Sequence, residues 1–352
     1  MNMKLLQIIS SLLLLTNANS NEPVDTSQIF NQGYEINEIN LMQGYNAPAR
    51  IDLSKKMDFF VNASLVYVRA KEDGLDLGRL VSVFPSDFIE SVINMDLRYN
   101  PGFKIGFGLN SDFDNWSFLL KYFYFNISNS TFYENEPFYN IEVYRDLAGG
   151  RRNYSTSVNA KWNLKLNILD FNIFRSQYSG THLITSPVIG IRAGTIAQNF
   201  DAEYSLLGGE IAQSIQKSTS WIIGPRIGLN TKWIFFKGFN LSLDSYFNIL
   251  YQKFSVGSLF DDLSAAGTIL SNITDNKNSY INPNFETQIG IGWGRYFNKN
   301  KLHFSIDALY DFEIFFNQNM MRYLRDNSMF GIDANKGNLF LNGLILEFYL
   351  DF

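Results

Sequence analysis

Residues 338–352 read Asn-Leu-Phe-Leu-Asn-Gly-Leu-Ile-Leu-Glu-Phe-Tyr-Leu-Asp-Phe. Counted back in twos from Phe352, the positions Leu350, Phe348, Leu346 and Leu344 are all apolar. Between them stand Asp351, Tyr349, Glu347, Ile345 and Gly343, a mixed set. A period of two describes a strand with one apolar face. An apolar face that finishes on an aromatic suits the closing strand of an outer-membrane β-barrel. Leu344, Leu346, Phe348, Leu350 and Phe352 are therefore the expected assembly signal. That reading requires the rest of the chain to repeat the pattern and the chain to be exported.

Export is indicated at the other end. Lys4 precedes an apolar run from Leu5 to Leu15, and Ala18-Asn19-Ser20 supplies small residues for cleavage after Ser20. Residues 1–20 are expected to be a signal peptide. Residues 21–56 are polar and aperiodic, a periplasmic tail or a plug, and 57–352 would form the barrel. Beyond the leader there is no run of about 18 apolar residues, so no membrane helix is expected. Yet 46% of residues are hydrophobic and 16% aromatic, with a mean hydropathy of only −0.10. Alternating apolar and polar positions give that combination. There are no cysteines, and the formal charge is −5. This weakly acidic balance offers no footprint for nucleic acid.

The alternation recurs along the chain. Phe103, Ile105, Phe107 and Leu109 interleave with Lys104, Gly106, Gly108 and Asn110, then a polar turn leads to Trp116, Phe118, Leu120, Tyr122 and Tyr124. Trp221, Ile223, Pro225, Ile227, Leu229, Thr231 and Trp233 alternate with Gly224, Arg226, Gly228, Asn230 and Lys232. Near 166–169 the apolar phase changes, from Trp162, Leu164 and Leu166 to Leu169, Phe171 and Ile173. The change is read as a bulge, giving ten strands, or as a turn, which leads to twelve. Residues 71–100, 128–152, 198–219, 257–282 and 317–337 read as long loops, with a short helix around 259–273. Short turns alternate with them, as short periplasmic turns alternate with long extracellular loops in outer-membrane barrels. Trp116, Trp221, Trp233, Tyr251 and Trp293 fall near strand ends, where an interfacial girdle would sit. The expected fold is all-β, a transmembrane antiparallel β-barrel.

With apolar residues toward lipid, the alternate set would line the lumen. It comprises Lys104, Lys121, Lys161, Lys165, Arg192, Arg226 and Lys232 on the earlier strands, with Asp170 as the acidic exception. On the later ones it comprises Asp244, Glu286, Asp307, Asp311, Glu313, Glu347 and Asp351. Wall charges of this kind set ion preference in an open pore; paired across a narrow barrel, they would plug it. The two histidines, His182 and His303, both fall near expected periplasmic turns. That placement disfavours a surface hydrolase, so no catalytic, cofactor-binding or metal residues are assigned. Phe132, Tyr133, Phe138, Tyr139 and Tyr144 make the second long loop rich in aromatics, which raises adhesion as another role.

Several segments resemble a known family. They are Arg69-Ala70-Lys71-Glu72-Asp73-Gly74-Leu75, Asn100-Pro101-Gly102-Phe103-Lys104-Ile105-Gly106, Asp114-Asn115-Trp116, Ile223 to Thr231, Phe316-Asn317-Gln318-Asn319 and Gly337 to Leu344. In order and spacing the set resembles the major outer-membrane-protein family of Legionella and of environmental Chlamydia relatives, described as pore-forming. The resemblance covers most of 57–352. It implies a porin-like channel in the outer membrane of a Gram-negative bacterium, passing small hydrophilic solutes or ions. The alternative is a narrow plugged barrel whose long loops act in host contact. Expected partners are outer-membrane lipid and the assembly machinery, with a homo-oligomer left open.

Overall fold

The computed structural model describes residues 47–51, 53, 57–84, 91–143, 154–263, 268–274, 278–321 and 336–352. The expected signal peptide and nearly all of the 21–56 tail lie outside the described residues, as does Tyr144.

The strands in order are β1 (Met57–Glu72), β2 (Gly78–Ser82), β3 (Ser91–Ile93), β4 (Tyr99–Ser111) and β5 (Ser117–Glu134). Then come β6 (Tyr139–Val143), β7 (Tyr154–Phe174), β8 (Gln177–Tyr178), β9 (Leu183–Leu206) and β10 (Ile211–Phe236). Last are β11 (Phe239–Leu263), β12 (Thr268–Thr274), β13 (Ser279–Phe297), β14 (Leu302–Asn319) and β15 (Gly337–Asp351). Ten of these close a barrel in the order β1-β4-β5-β7-β9-β10-β11-β13-β14-β15, with β15 returning to β1, and every pairing is antiparallel. At the seam Phe60 faces Asp351 and Glu72 faces Leu339. Closure leaves no wall strand with an unpaired edge. The small β3-β2-β6 sheet continues from β7 at the long-loop end, and β12 pairs β11.

Three expectations are corrected here. Residues 198–219 are not a loop. Strands β9 and β10 pair from Leu183↔Trp233 to Ser205↔Ile211, joined by a tight turn at 207–210. The stretch 259–273 is not a helix, because β11 runs to Leu263 and β12 pairs back onto it. The phase change in β7 is neither bulge nor turn: its pairing with β5 runs unbroken from Glu134↔Ser157 to Ser117↔Phe174.

The physical reason for that phase change organises the whole molecule. Between Leu169 and Ile173 the outward residues are Leu169, Phe171 and Ile173, and the inward ones are Asp170 and Asn172. Between Asn159 and Asn167 the outward residues are Asn159, Lys161, Asn163, Lys165 and Asn167, and the buried inward ones are Ala160, Trp162, Leu164 and Leu166. The backbone keeps its alternation while the surroundings exchange. The lower part of the wall stands in lipid and the upper part in water. Neighbouring strands agree. Above Tyr124, β5 turns Asn126, Ser128 and Ser130 outward and buries Phe125 and Ile127. On β9 the outward set passes from Ile189 and Ile191 to Asn199, Asp201 and Glu203, over buried Phe200, Ala202 and Tyr204.

The girdles mark the borders of the lipid band. Trp221 and Tyr251 contact each other at 5.5 Å on the upper border, and Trp233 and Trp293 stand on the lower one. Trp221 and Trp233 lie 12 residues apart on one face of β10. At ~3.3 Å per residue and a tilt of about 45°, that spacing spans ~28 Å, the height of a bilayer's apolar band.

Candidate functional site: the lumen

Two layers fill the barrel, one charged and one apolar. Arg192 is the hub of the charged layer. Asp170 lies directly opposite it on β7, and its two oxygens accept from Arg192 Nε at 2.7 Å and Nη2 at 2.8 Å. Nη2 also donates to Glu286 Oε2 at 2.7 Å, and Nη1 donates to Asn284 Oδ1 at 2.8 Å and to Glu313. Glu286 and Glu313 are cross-strand neighbours on β13 and β14. Two carboxylates so placed would repel each other without the cations between them.

Arg226 supplies a second cation. Its Nη2 reaches Glu286 Oε2 at 2.8 Å, and its guanidinium lies 3.8 Å from the centre of the Tyr246 ring. Gly228 makes room for that ring: a Cβ there would stand 2.3 Å from a Tyr246 carbon. Lys104 Nζ lies 3.3 Å from Glu286 and 3.9 Å from Asp311. Lys121 Nζ donates to Glu347 Oε1 at 2.7 Å, where Asn62 and Ser64 also donate. Lys232 Nζ stands 4.0 Å from Asp307 with its side chain 40% exposed, the loosest of these contacts. Charges buried in this way are held by their pairing, and removing one partner strands the others.

Above this layer the side of the lumen walled by β5, β7 and β9 is apolar, while on the opposite side Gln252 donates to Ser220 at 2.8 Å and to Gln318 at 2.5 Å and accepts from Asn282 at 2.7 Å. Trp162 and Phe200 are cross-strand neighbours, as are Phe125, Leu166 and Ile196 across β5, β7 and β9. The connection between β1 and β4 folds inward and buries Leu75, Leu77, Ile93 and Met95 in the same core. Several polar atoms of the apolar side pair with one another. Trp162 Nε1 donates to Gln198 at 3.0 Å, Gln198 donates to Glu72 at 3.2 Å, and the Tyr204 hydroxyl donates to the Leu77 carbonyl at 3.0 Å.

The charged layer borders a cavity of about 210 Å³ that extends from it toward the short-turn end, with Arg192, Arg226, Glu286, Lys121, Glu347 and Tyr349 in its lining. Residues 47–51 cross its mouth. Ala49 N donates to Ser176 O at 3.0 Å, and Arg50 donates to Ser111 O and Asp112 Oδ1, both at 2.5 Å.

Of the residues expected to line the lumen, Lys104, Lys121, Arg192, Arg226, Lys232, Asp244, Glu286, Asp307, Asp311, Glu313, Glu347 and Asp351 point inward. Lys161 and Lys165 do not. They lie in the upper, water-facing stretch of β7, where the inward positions are apolar, so both are exposed on the outer wall. Lys161 stands opposite Asp201 there. The basic and acidic halves of the wall do exist, but they are joined by direct ion pairs. Asn284, Tyr246 and the apolar layer were not among the expected lining residues, whereas Asp170 stands on the inner face as expected. The length of β7, 21 residues where about 9–11 cross a bilayer, is the signal that could have found the apolar layer.

His303 Nδ1 and Asp351 Oδ2 are 2.8 Å apart, tying the end of β15 to β14. His182 contacts Thr181 in the exposed turn before β9. Of the aromatics in 130–148, Phe132 and Phe138 are exposed, whereas Tyr133 packs on the apolar core.

The family model described as Legionella pneumophila major outer membrane protein precursor matches residues 51–352. No curated protein matches the chain. Similar solved structures include the outer membrane protease OmpT from Escherichia coli, at 11% identity and a TM-score of 0.41, covering 84% of this chain and 96% of that one. A Pseudomonas aeruginosa FadL homologue is 8% identical with a TM-score of 0.29, covering 85% and 90%. The Pseudomonas putida toluene transporter TodX is 7% identical with a TM-score of 0.25, covering 84% and 89%. Likeness at this level says nothing of activity.

Proposed function

The chain belongs to the outer-membrane family described as Legionella pneumophila major outer membrane protein precursor, and from that premise we propose that it is a closed, non-enzymatic barrel. Its role is that of a wall component with a rigid outward extension, rather than a passive diffusion pore. The carrying observation is the stacking of two unlike fillings in one lumen. A hydrated solute would have to break the Arg192 ion-pair cluster and then cross the layer built on Trp162, Phe125, Phe200 and Tyr204. The first step strands buried charge, and the second strips water from the solute. The exposed Phe132 and Phe138 on the outward extension supply a surface for contact with other molecules.

A porin-like reading keeps one observation in its favour. The cavity of about 210 Å³ already occupies the short-turn half of the lumen, so only the upper layers stand between it and the outside. Planar-bilayer recording from the purified, refolded full chain separates the two. Silence is expected where a known porin gives discrete steps under the same conditions. Reproducible steps from the unaltered chain would favour the pore.

A further inference from the structure

The lower rim of the barrel is electrically lopsided. On one side lies the turn between β4 and β5, where Asp112 and Asp114 are matched by Arg50 at 2.5 Å and Arg175 at 2.9 Å. On the other side the β10–β11 and β13–β14 turns sit together, with Gly294 N donating to Gly238 O at 3.0 Å. Together they carry Lys237, Arg295, Lys299 and Lys301, all exposed. No Asp or Glu occurs in 233–243 or 293–306. Among the described residues none of these four cations has a carboxylate within 4.0 Å.

Aromatic side chains are interleaved with these charges. Phe235, Phe236, Phe239 and Phe297 are exposed at the same level, just beyond Trp233 and Trp293, while Tyr296 packs over His303 with ring centroids 4.8 Å apart. Lys237 and Lys299 hold left-handed backbone, with φ of 38° and 56°. Asn or Gly adopts that conformation more easily, so lysine at these positions carries a cost in strain.

We infer that this corner of the rim is a binding site for the phosphate of an anionic phospholipid in the inner leaflet. The rings lie at the depth of the glycerol and upper acyl region, where aromatic belts settle. The cations lie one step further out, at the depth of the phosphates, where each Lys or Arg is attracted to an anionic surface. A cell-wall polymer in the periplasm could meet the cations but would leave the rings uncovered. The site does not depend on whether the lumen is open or closed.

The full chain refolded into phosphatidylcholine bilayers tests this. Brominated phosphatidylglycerol or brominated phosphatidylcholine is titrated in, and tryptophan fluorescence is read, with Trp233 and Trp293 beside the site. Phosphatidylglycerol is expected to quench at severalfold lower mole fraction, and the preference should fade in high salt. The K237Q/R295Q/K299Q/K301Q variant should lose the preference. K237R/K299R/K301R, which keeps the charge, should retain it, as should D114N/R175Q on the opposite side. Equal quenching by the two lipids, or a preference that survives the loss of all four cations, would overturn the assignment. So would charge-dependent binding to isolated cell-wall sacculi without any lipid preference.

Discussion

Strand β7 is two strands in one. Below Ile168 it shows lipid a row of Leu169, Phe171 and Ile173 and shows the lumen Asp170 and Asn172. Above it the same alternation shows water Lys161 and Lys165 and shows the lumen Trp162, Leu164 and Leu166. On the β5, β7 and β9 side the lower half of the barrel is inside-out relative to a soluble protein, and the upper half is right way round. The difference teaches that an inward position has no fixed chemistry; what lies outside the wall decides what the inside must supply. In lipid the outer face already buries apolar area, so the interior can hold ion pairs. In water the outer face buries nothing, so the interior must carry the hydrophobic stabilisation.

Substitutions can break that contrast. The largest effect is expected from Arg192→Leu, which leaves Asp170, Glu286 and Glu313 without their shared cation. Breaking a buried pair costs about 3–5 kcal/mol, and adding Glu313→Gln should recover part of it, both read from denaturant unfolding in bilayers. In the upper half the comparable change is Trp162→Ala, a loss of about 3–5 kcal/mol through cavity formation. It should loosen hydrogen-exchange protection above Ile168 while the lower half stays protected. A third experiment moves one charge along one face of β10. Ile227→Lys, midway between the girdles, should cost about 2–4 kcal/mol. Thr219→Lys, just above Trp221, should change stability by less than about 0.5 kcal/mol. The smallest effect belongs to Lys165→Leu, also within about 0.5 kcal/mol. A large loss there would mean that lipid or a packed partner, rather than water, covers upper β7.

Much of the fold was legible because lipid-facing strands carry the plainest pattern available to a chain. The hairpins from Phe103 to Tyr124 and from Trp221 to Tyr251 keep apolar residues at nearly every outward position, and their girdle aromatics mark both borders. The upper half was harder to read. Its apolar residues are on the correct period but the opposite face, so in β7 the exchange of environment looked like a break in the backbone. The same confusion assigned Lys161 and Lys165 to the lumen. In β9 and β10 the upper residues, such as Gln198, Gln213 and Lys217, are polar enough to read as loop, and only their pairing shows them to be strand. The charged cluster was legible as a set of inward residues. Its connectivity was not, because which side chains meet across a closed wall depends on tilt and on the room left by glycines such as Gly228.

The charges outside the upper wall also bear on kinetics. Lys161, Lys165, Glu203, Lys217 and Lys253 are all exposed beyond the lipid band. To reach their places they must cross it, and each lysine costs about 2–4 kcal/mol at the midplane, with an acidic residue costing less. Crossing together, they raise a barrier on the order of 10 kcal/mol, roughly a 10⁷-fold effect on rate. The barrier acts in both directions. Unassisted insertion would be very slow, and a barrel once across would hold its orientation for as long as the membrane lasts.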